Sequence, residues 1–99
     1  MENINYIQER KKQTAETIKQ TVDYDDKTPS SVSVSCYNLT TSATDNTLLS
    51  STTATIISNT ATVNVLGGTD LNDYRISFLA TFSDSQVWKD DILLHVKNI

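Results

Sequence analysis

The stretch Gly67-Gly68-Thr69-Asp70-Leu71-Asn72-Asp73-Tyr74-Arg75-Ile76-Ser77-Phe78-Leu79-Ala80-Thr81-Phe82 decides how this chain is read. It opens on paired glycines and runs through Asp70, Asn72 and Asp73 before Tyr74, Ile76, Phe78, Ala80 and Phe82 fall on alternate positions. Glycine reaches positive φ without a Cβ penalty, and Asp and Asn side chains bond their own backbone, so residues 67–73 predict a tight connection. The period of two that follows predicts a half-buried strand, the strongest such pattern in the sequence.

The segments that flank this strand carry the same period. On the C-terminal side, Ser83-Asp84-Ser85-Gln86 predicts a hairpin turn, and a last strand runs from Val87 to Val96 with Ile92, Leu94 and Val96 inward. Lys89-Asp90-Asp91 interrupts that strand and marks a bulge or an edge. On the N-terminal side, Thr53–Ser58 and Thr60–Leu66 predict two short strands turned at Ser58-Asn59-Thr60. Thr40–Thr47 reads as a polar loop. Val32, Val34, Cys36 and Asn38 alternate with Ser33, Ser35 and Tyr37 in another strand, and Ile18, Gln20, Val22 and Tyr24 define the first. Between these two, Asp25-Asp26-Lys27-Thr28-Pro29-Ser30 breaks regular pairing, with Pro29 fixing φ. Six short strands separated by turns, with no helix between them, predict an all-β fold: a small antiparallel sandwich over residues 15–99.

Residues 1–14 differ from the rest. Eleven of the 20 charged residues lie in the first 29 positions. Ile4, Ile7, Ala15 and Ile18 loosely fit helical spacing, with Lys11 interrupting the face, but a helix of fewer than ~15 residues is marginal alone. Two readings stand: a solvated terminus, or an N-terminal arm that orders on a neighbouring subunit with Ile4, Tyr6 and Ile7 as apolar anchors.

Composition narrows the function classes. The 99 residues make one small domain with a thin core, and Ser plus Thr account for 26 of them. Thr suits pleated, half-solvated strands. The hydrophobic fraction of 37% fits a subunit that gains stability by packing on neighbours. A net charge of −4 argues against nucleic acid as a partner, because phosphate binding needs a basic face. No apolar run approaches the ~20 residues that span a membrane, and no basic segment followed by an apolar core suggests a secretory signal. The single cysteine excludes an internal disulfide and fits synthesis in a reducing cytoplasm.

Candidate chemistry is sparse. His95, the only histidine, falls on the outer face of the last strand with no nucleophile-elbow motif beside it. One His and one Cys fall short of the four ligands of structural zinc. Asp23, Asp25 and Asp26 lack the central glycine and closing glutamate of a calcium loop and read as a turn. No catalytic residue, metal site or cofactor is expected, and an enzyme is not. Trp88 is either a core residue or an exposed aromatic of the kind that anchors interfaces.

Asp70 followed by Tyr74, with Ile76 facing the core, resembles the tyrosine corner of immunoglobulin-like sandwiches, where a Tyr hydroxyl ties down the chain crossing between sheets. In that frame Cys36 takes the first position of the inter-sheet disulfide and Ile76 the second, which leaves Cys36 a buried free thiol. From about Lys12 to Lys97 the chain resembles short immunoglobulin-like proteins encoded by tailed bacteriophages and prophages. The resemblance rests on Glu16 before Val22-Asp23-Tyr24, on Ala61-Thr62-Val63-Asn64-Val65-Leu66-Gly67-Gly68-Thr69, on the Tyr74 strand, on the Ser83–Gln86 turn and on Ile92-Leu93-Leu94-His95-Val96. It departs at Ser85, where members typically keep glycine, and in lacking a Trp after the first strand. The resemblance implies a virion component, made in the host bacterial cytoplasm, that decorates or cements the capsid by binding the major capsid protein through its arm and a sheet edge. Its partners would be other virion proteins and copies of itself in a symmetric assembly. The alternatives are a neck or tail adaptor, or a module binding carbohydrate or the host surface; the last would need exposed aromatics, for which Tyr37 and Trp88 are the candidates.

Overall fold

The computed structural model describes residues 6–99. Eight strands follow in order: β1 (Tyr6–Lys12), β2 (Ile18–Asp23), β3 (Ser31–Asn38), β4 (Ala43–Thr44), β5 (Thr55–Ile57), β6 (Thr60–Val65), β7 (Asp73–Thr81) and β8 (Val87–Val96), with a 3₁₀ turn at Asn46–Leu48. They form a five-stranded sheet ordered β1-β8-β7-β3-β4 and a three-stranded sheet ordered β2-β6-β5. The chain is a small β-sandwich. β8, β7 and β3 make up the centre of one layer, and β2, β6 and β5 make up the other.

Alternation builds the core. Tyr74, Ile76, Phe78 and Ala80 of β7 face inward beside Val32, Val34 and Cys36 of β3 and Ile92, Leu94 and Val96 of β8, all buried. Val22, Ala61, Val63 and Val65 close the core from the smaller sheet. Each large side chain hidden this way contributes roughly 1.5–3 kcal/mol, which compensates for the thinness of the layer. Between β4 and β5, Leu48 and Leu49 plug the core while Leu66 donates its N–H to the Leu48 carbonyl at 2.8 Å. The expected polar loop at Thr40–Thr47 thus holds a short edge strand and the start of a turn. Asp45 caps that turn by accepting from the Thr47 N–H.

The glycine pair behaves as its chemistry requires. Gly67 and Gly68 have φ of 64° and 95°, and a Cβ on Gly68 would lie 2.9 Å from Val96 Cγ2. The β7–β8 turn is a three-residue loop: Ser85 donates its N–H to the Phe82 carbonyl at 3.0 Å, and Phe82 donates to the Gln86 carbonyl at 2.9 Å. Ser85 takes φ of 70°, the left-handed conformation that such hairpins reserve for glycine.

Three expectations are corrected or narrowed. Tyr6–Lys12 is a strand, not a short helix; it pairs in parallel with β8, so the described part of the arm forms the edge of the larger sheet. Its hydrophobic spacing misled because Ile7 and Ile18 belong to different strands; Ile4 lies outside the described residues. Lys89-Asp90-Asp91, expected to mark a bulge or an edge, forms no bulge against β7, since register runs unbroken from Thr81 opposite Val87 to Asp73 opposite His95. Among the described residues Lys89 and Asp90 lie on the free edge of β8 ahead of Asp91, where pairing with β1 begins. Cys36 and Ile76 are cross-strand neighbours in one sheet, so they do not mark an inter-sheet pair. Cys36 is nonetheless a buried free thiol, with burial, then the charge of Asp45, pushing its pKa up to about 12.

Candidate functional site

The outer face of the larger sheet is a lattice set by register. One row runs Tyr37, Arg75, Leu93, Glu9 across β3, β7, β8 and β1; the next holds Ser35, Ser77, Asp91 and Tyr6. Arg75 stacks over the Tyr37 ring at 5.1 Å, and Ser77 donates its hydroxyl to Asp91 at 2.6 Å. Where β1 begins, a register irregularity between Tyr6 and Gln8 leaves Ile7 54% exposed at the rim of the sheet. Tyr6 is half-buried beside Asp91.

β1 is attached by polar bonds where other strands use hydrophobic burial. Its inward positions are Gln8, Arg10 and Lys12, which sit over the margin between the two sheets. Arg10 Nη1 donates to the Lys19 carbonyl at 2.7 Å and to Gln20 Oε1 at 3.1 Å, while Gln20 Nε2 donates to Gln8 Oε1 at 3.0 Å. Lys12 is buried, and its ammonium donates to the carbonyls of Gln13 (2.6 Å), Gly67 (2.6 Å) and Thr14 (3.3 Å). An ammonium has three donors, and all three are used. Burial holds its pKa below the usual lysine value, against the opposing charge of Glu16. Nothing in a run of Gln-Glu-Arg-Lys-Lys signals a half-buried strand, which is why sequence reasoning missed it.

His95 joins three strands. It stands on β8 opposite Asp73 of β7 and Lys11 of β1. Its Nδ1 lies 2.6 Å from Asp73 Oδ1, and its Nε2 lies 2.5 Å from Glu9 Oε1. The hydrogen bonds to Asp73 and Glu9 raise its pKa above the ordinary histidine value. Lys11, Leu71 and Lys97 line the same shallow cleft. The expected outer-face histidine is thus also a cross-strand tie. Its two carboxylates occupy opposite sides of the ring, and among the described residues no group of His, Cys, Asp and Glu could hold a metal ion.

At the other end of β8, the smaller sheet stops short. Unbroken alternation puts Trp88 on the inward face opposite Ala80, yet it is 39% exposed, lying beyond the reach of the described strands of the smaller sheet. Its ring packs 4.7 Å from Phe82 and 6.3 Å from Tyr24. The Lys27 ammonium lies over both Phe82 (4.7 Å) and Trp88 (5.2 Å) and binds Asp84 at 3.0 Å and Gln86 at 2.9 Å. Burial, then Asp90, pushes the Tyr24 hydroxyl up to about 12, and this hydroxyl has no partner among the described residues. Trp88 and Tyr37 therefore sit on opposite faces of the sheet and share no platform for a sugar ring.

The remaining sequence-selected residues have local roles. The Tyr74 hydroxyl accepts the Thr69 N–H at 2.9 Å, tying down the crossing from β6 to β7. Asp70 does not touch it: its carboxylate accepts the Asn98 N–H at 2.8 Å, fastening the segment after β8. Asp23 accepts the Asp25 N–H at 2.9 Å inside a turn. Tyr6 and Ile7 lie on β1 beside β8 and Trp88 lies on β8 itself, but Tyr6 faces outward and Trp88 inward. Among the described residues no helix is long and apolar enough to cross a membrane.

No protein-family model matches the chain, and no curated protein is similar enough to match it.

Proposed function

We propose that this protein is a structural subunit of a tailed-bacteriophage virion, most simply a capsid decoration or cement protein that seats on the major capsid protein through the edge formed by β1. One observation carries the reading: β1 is a terminal strand paired only with β8 among the described residues, and it presents Ile7 on a rim beside Tyr6. An extended segment of a neighbour can add to such an edge, with main-chain bonds supplying affinity and the apolar side chains register. The sequence resemblance to phage immunoglobulin-like proteins supports the same role. Repetition on a symmetric shell would multiply a contact that is weak singly.

Quantitative mass spectrometry of purified particles tests this. A copy number comparable to the capsid protein supports decoration, and a ring-like low number supports the neck or tail adaptor instead. Absence from the particle defeats the proposal. Because β1 is part of the sheet, truncation is the wrong probe of the contact; Ile7→Asp, at an exposed side chain, should lower incorporation while leaving the fold intact. The adhesion alternative would be revived by a positive glycan array.

A further inference from the structure

We propose that His95 is a proton-operated clasp on the N-terminal strand: its imidazolium, donating to Asp73 of β7 and Glu9 of β1 at once, holds β1 on the sheet, and loss of that proton loosens β1 from β8.

Both ring nitrogens lie within 2.6 Å of a carboxylate oxygen. A neutral imidazole has one N–H donor and one lone pair, so it satisfies one carboxylate and turns its lone pair on the other. Only the doubly protonated ring satisfies both, and such charge-assisted bonds are the short, strong kind. The raised pKa follows from the same two bonds. Lys11 of β1 and Lys97 beyond β8 line the cleft and Arg75 lies on the adjoining row of β7; these cations disfavour the imidazolium, and the two direct carboxylates outweigh them.

Which strand yields is set by what else holds each one. β7 is paired on both sides, to β3 and β8, and carries five buried inward side chains through Phe82. β1 is paired on one side and has an exposed outer face. At its far end the Lys12 ammonium is fixed to three carbonyls, so the strand opens from Tyr6 and hinges at Lys12. Opening would uncover the β8 edge from Asp91 to His95. A local, sub-global opening of a terminal strand is the ordinary form such a device takes.

The sign follows from linkage. Asp73 of β7 stays beside the ring whether or not β1 is docked, so docking adds the Glu9 share of the raised pKa and takes up a proton. As pH rises between the pKa of the undocked state, set with Asp73 in place, and the higher pKa of the docked state, the docking equilibrium weakens by up to about tenfold per pH unit, and it is flat on either side of that window. This holds whatever particle the protein belongs to.

The test is NMR on the full chain. Ring ¹⁵N shifts should show His95 titrating with a midpoint above 6.5, both nitrogens being protonated below it. Amide protection of residues 6–11, corrected for intrinsic exchange, should fall across that midpoint while protection of β7 does not. His95→Gln should abolish the pH step and leave β1 poorly protected throughout. Should that variant fold badly, Glu9→Gln keeps the shape, and it should move the step to lower pH. A His95 midpoint at or below 6.5, or β1 protection that ignores the His95 titration, would overturn the proposal.

Discussion

Strands β7 and β1 flank the same strand, β8, and hold it by opposite means. β7 presents Tyr74, Ile76, Phe78 and Ala80 to the core, and its stability comes from apolar area removed from water. β1 presents Gln8, Arg10 and Lys12 to the sandwich margin, and each is matched to named acceptors or donors. The first kind of attachment is tolerant of detail and spread over many contacts. The second is concentrated in a few bonds, each of which can be cut or titrated individually. The difference places the adaptable part of the molecule at β1 and the permanent part at β7.

Substitutions can break or sharpen that contrast. Phe78→Ala, at a fully buried position of β7, should cost about 3–5 kcal/mol by denaturant unfolding, with the loss shared by the whole domain. Lys12→Met keeps the length of the side chain but strips the Gln13, Thr14 and Gly67 carbonyls of this donor. It should cost about 1–3 kcal/mol, with exchange protection lost in β1 before β7. A global, uniform loss from Lys12→Met would mean that the two attachments are one cooperative unit. The smallest effect lies in the hairpin that joins β7 to β8. Ser85→Gly removes a side chain from a left-handed backbone and should raise stability by about 0.5–1 kcal/mol, read as a shift in denaturation midpoint with unchanged slope.

Much of the fold was legible because period-two alternation maps directly onto a two-layer sandwich. Val32-Val34-Cys36 and Tyr74-Ile76-Phe78 announce their inward faces, and the structure places them opposite one another in register. The glycines were legible too: Gly68 has a wall, Val96, where a Cβ would go. β1 was not legible because its inward side chains are polar or charged, and their partners, Gly67 and the carbonyl of Lys19 among them, lie on other segments that only folding brings alongside. Trp88 was undecidable from sequence, since alternation gives its face but not the point where the opposing sheet ends. His95 was placed on the correct face, but its partners, Glu9 and Asp73, are separated from it by 86 and 22 residues.

Alternating apolar side chains were enough to specify a small β-sandwich, six of the eight strands and the inward faces of those strands, because their burial is a local pattern; Leu48 and Leu49, which reach the core from a turn, carry no such pattern. Tertiary structure alone decided that the first strand lies parallel beside the last, and that a histidine, a lysine and an arginine fasten it there. The His95–Glu9 bond joins opposite ends of the chain, and the Arg10 and Lys12 bonds form only once the sheets have brought Lys19, Gln20 and Gly67 to the margin, so no local periodicity encodes them.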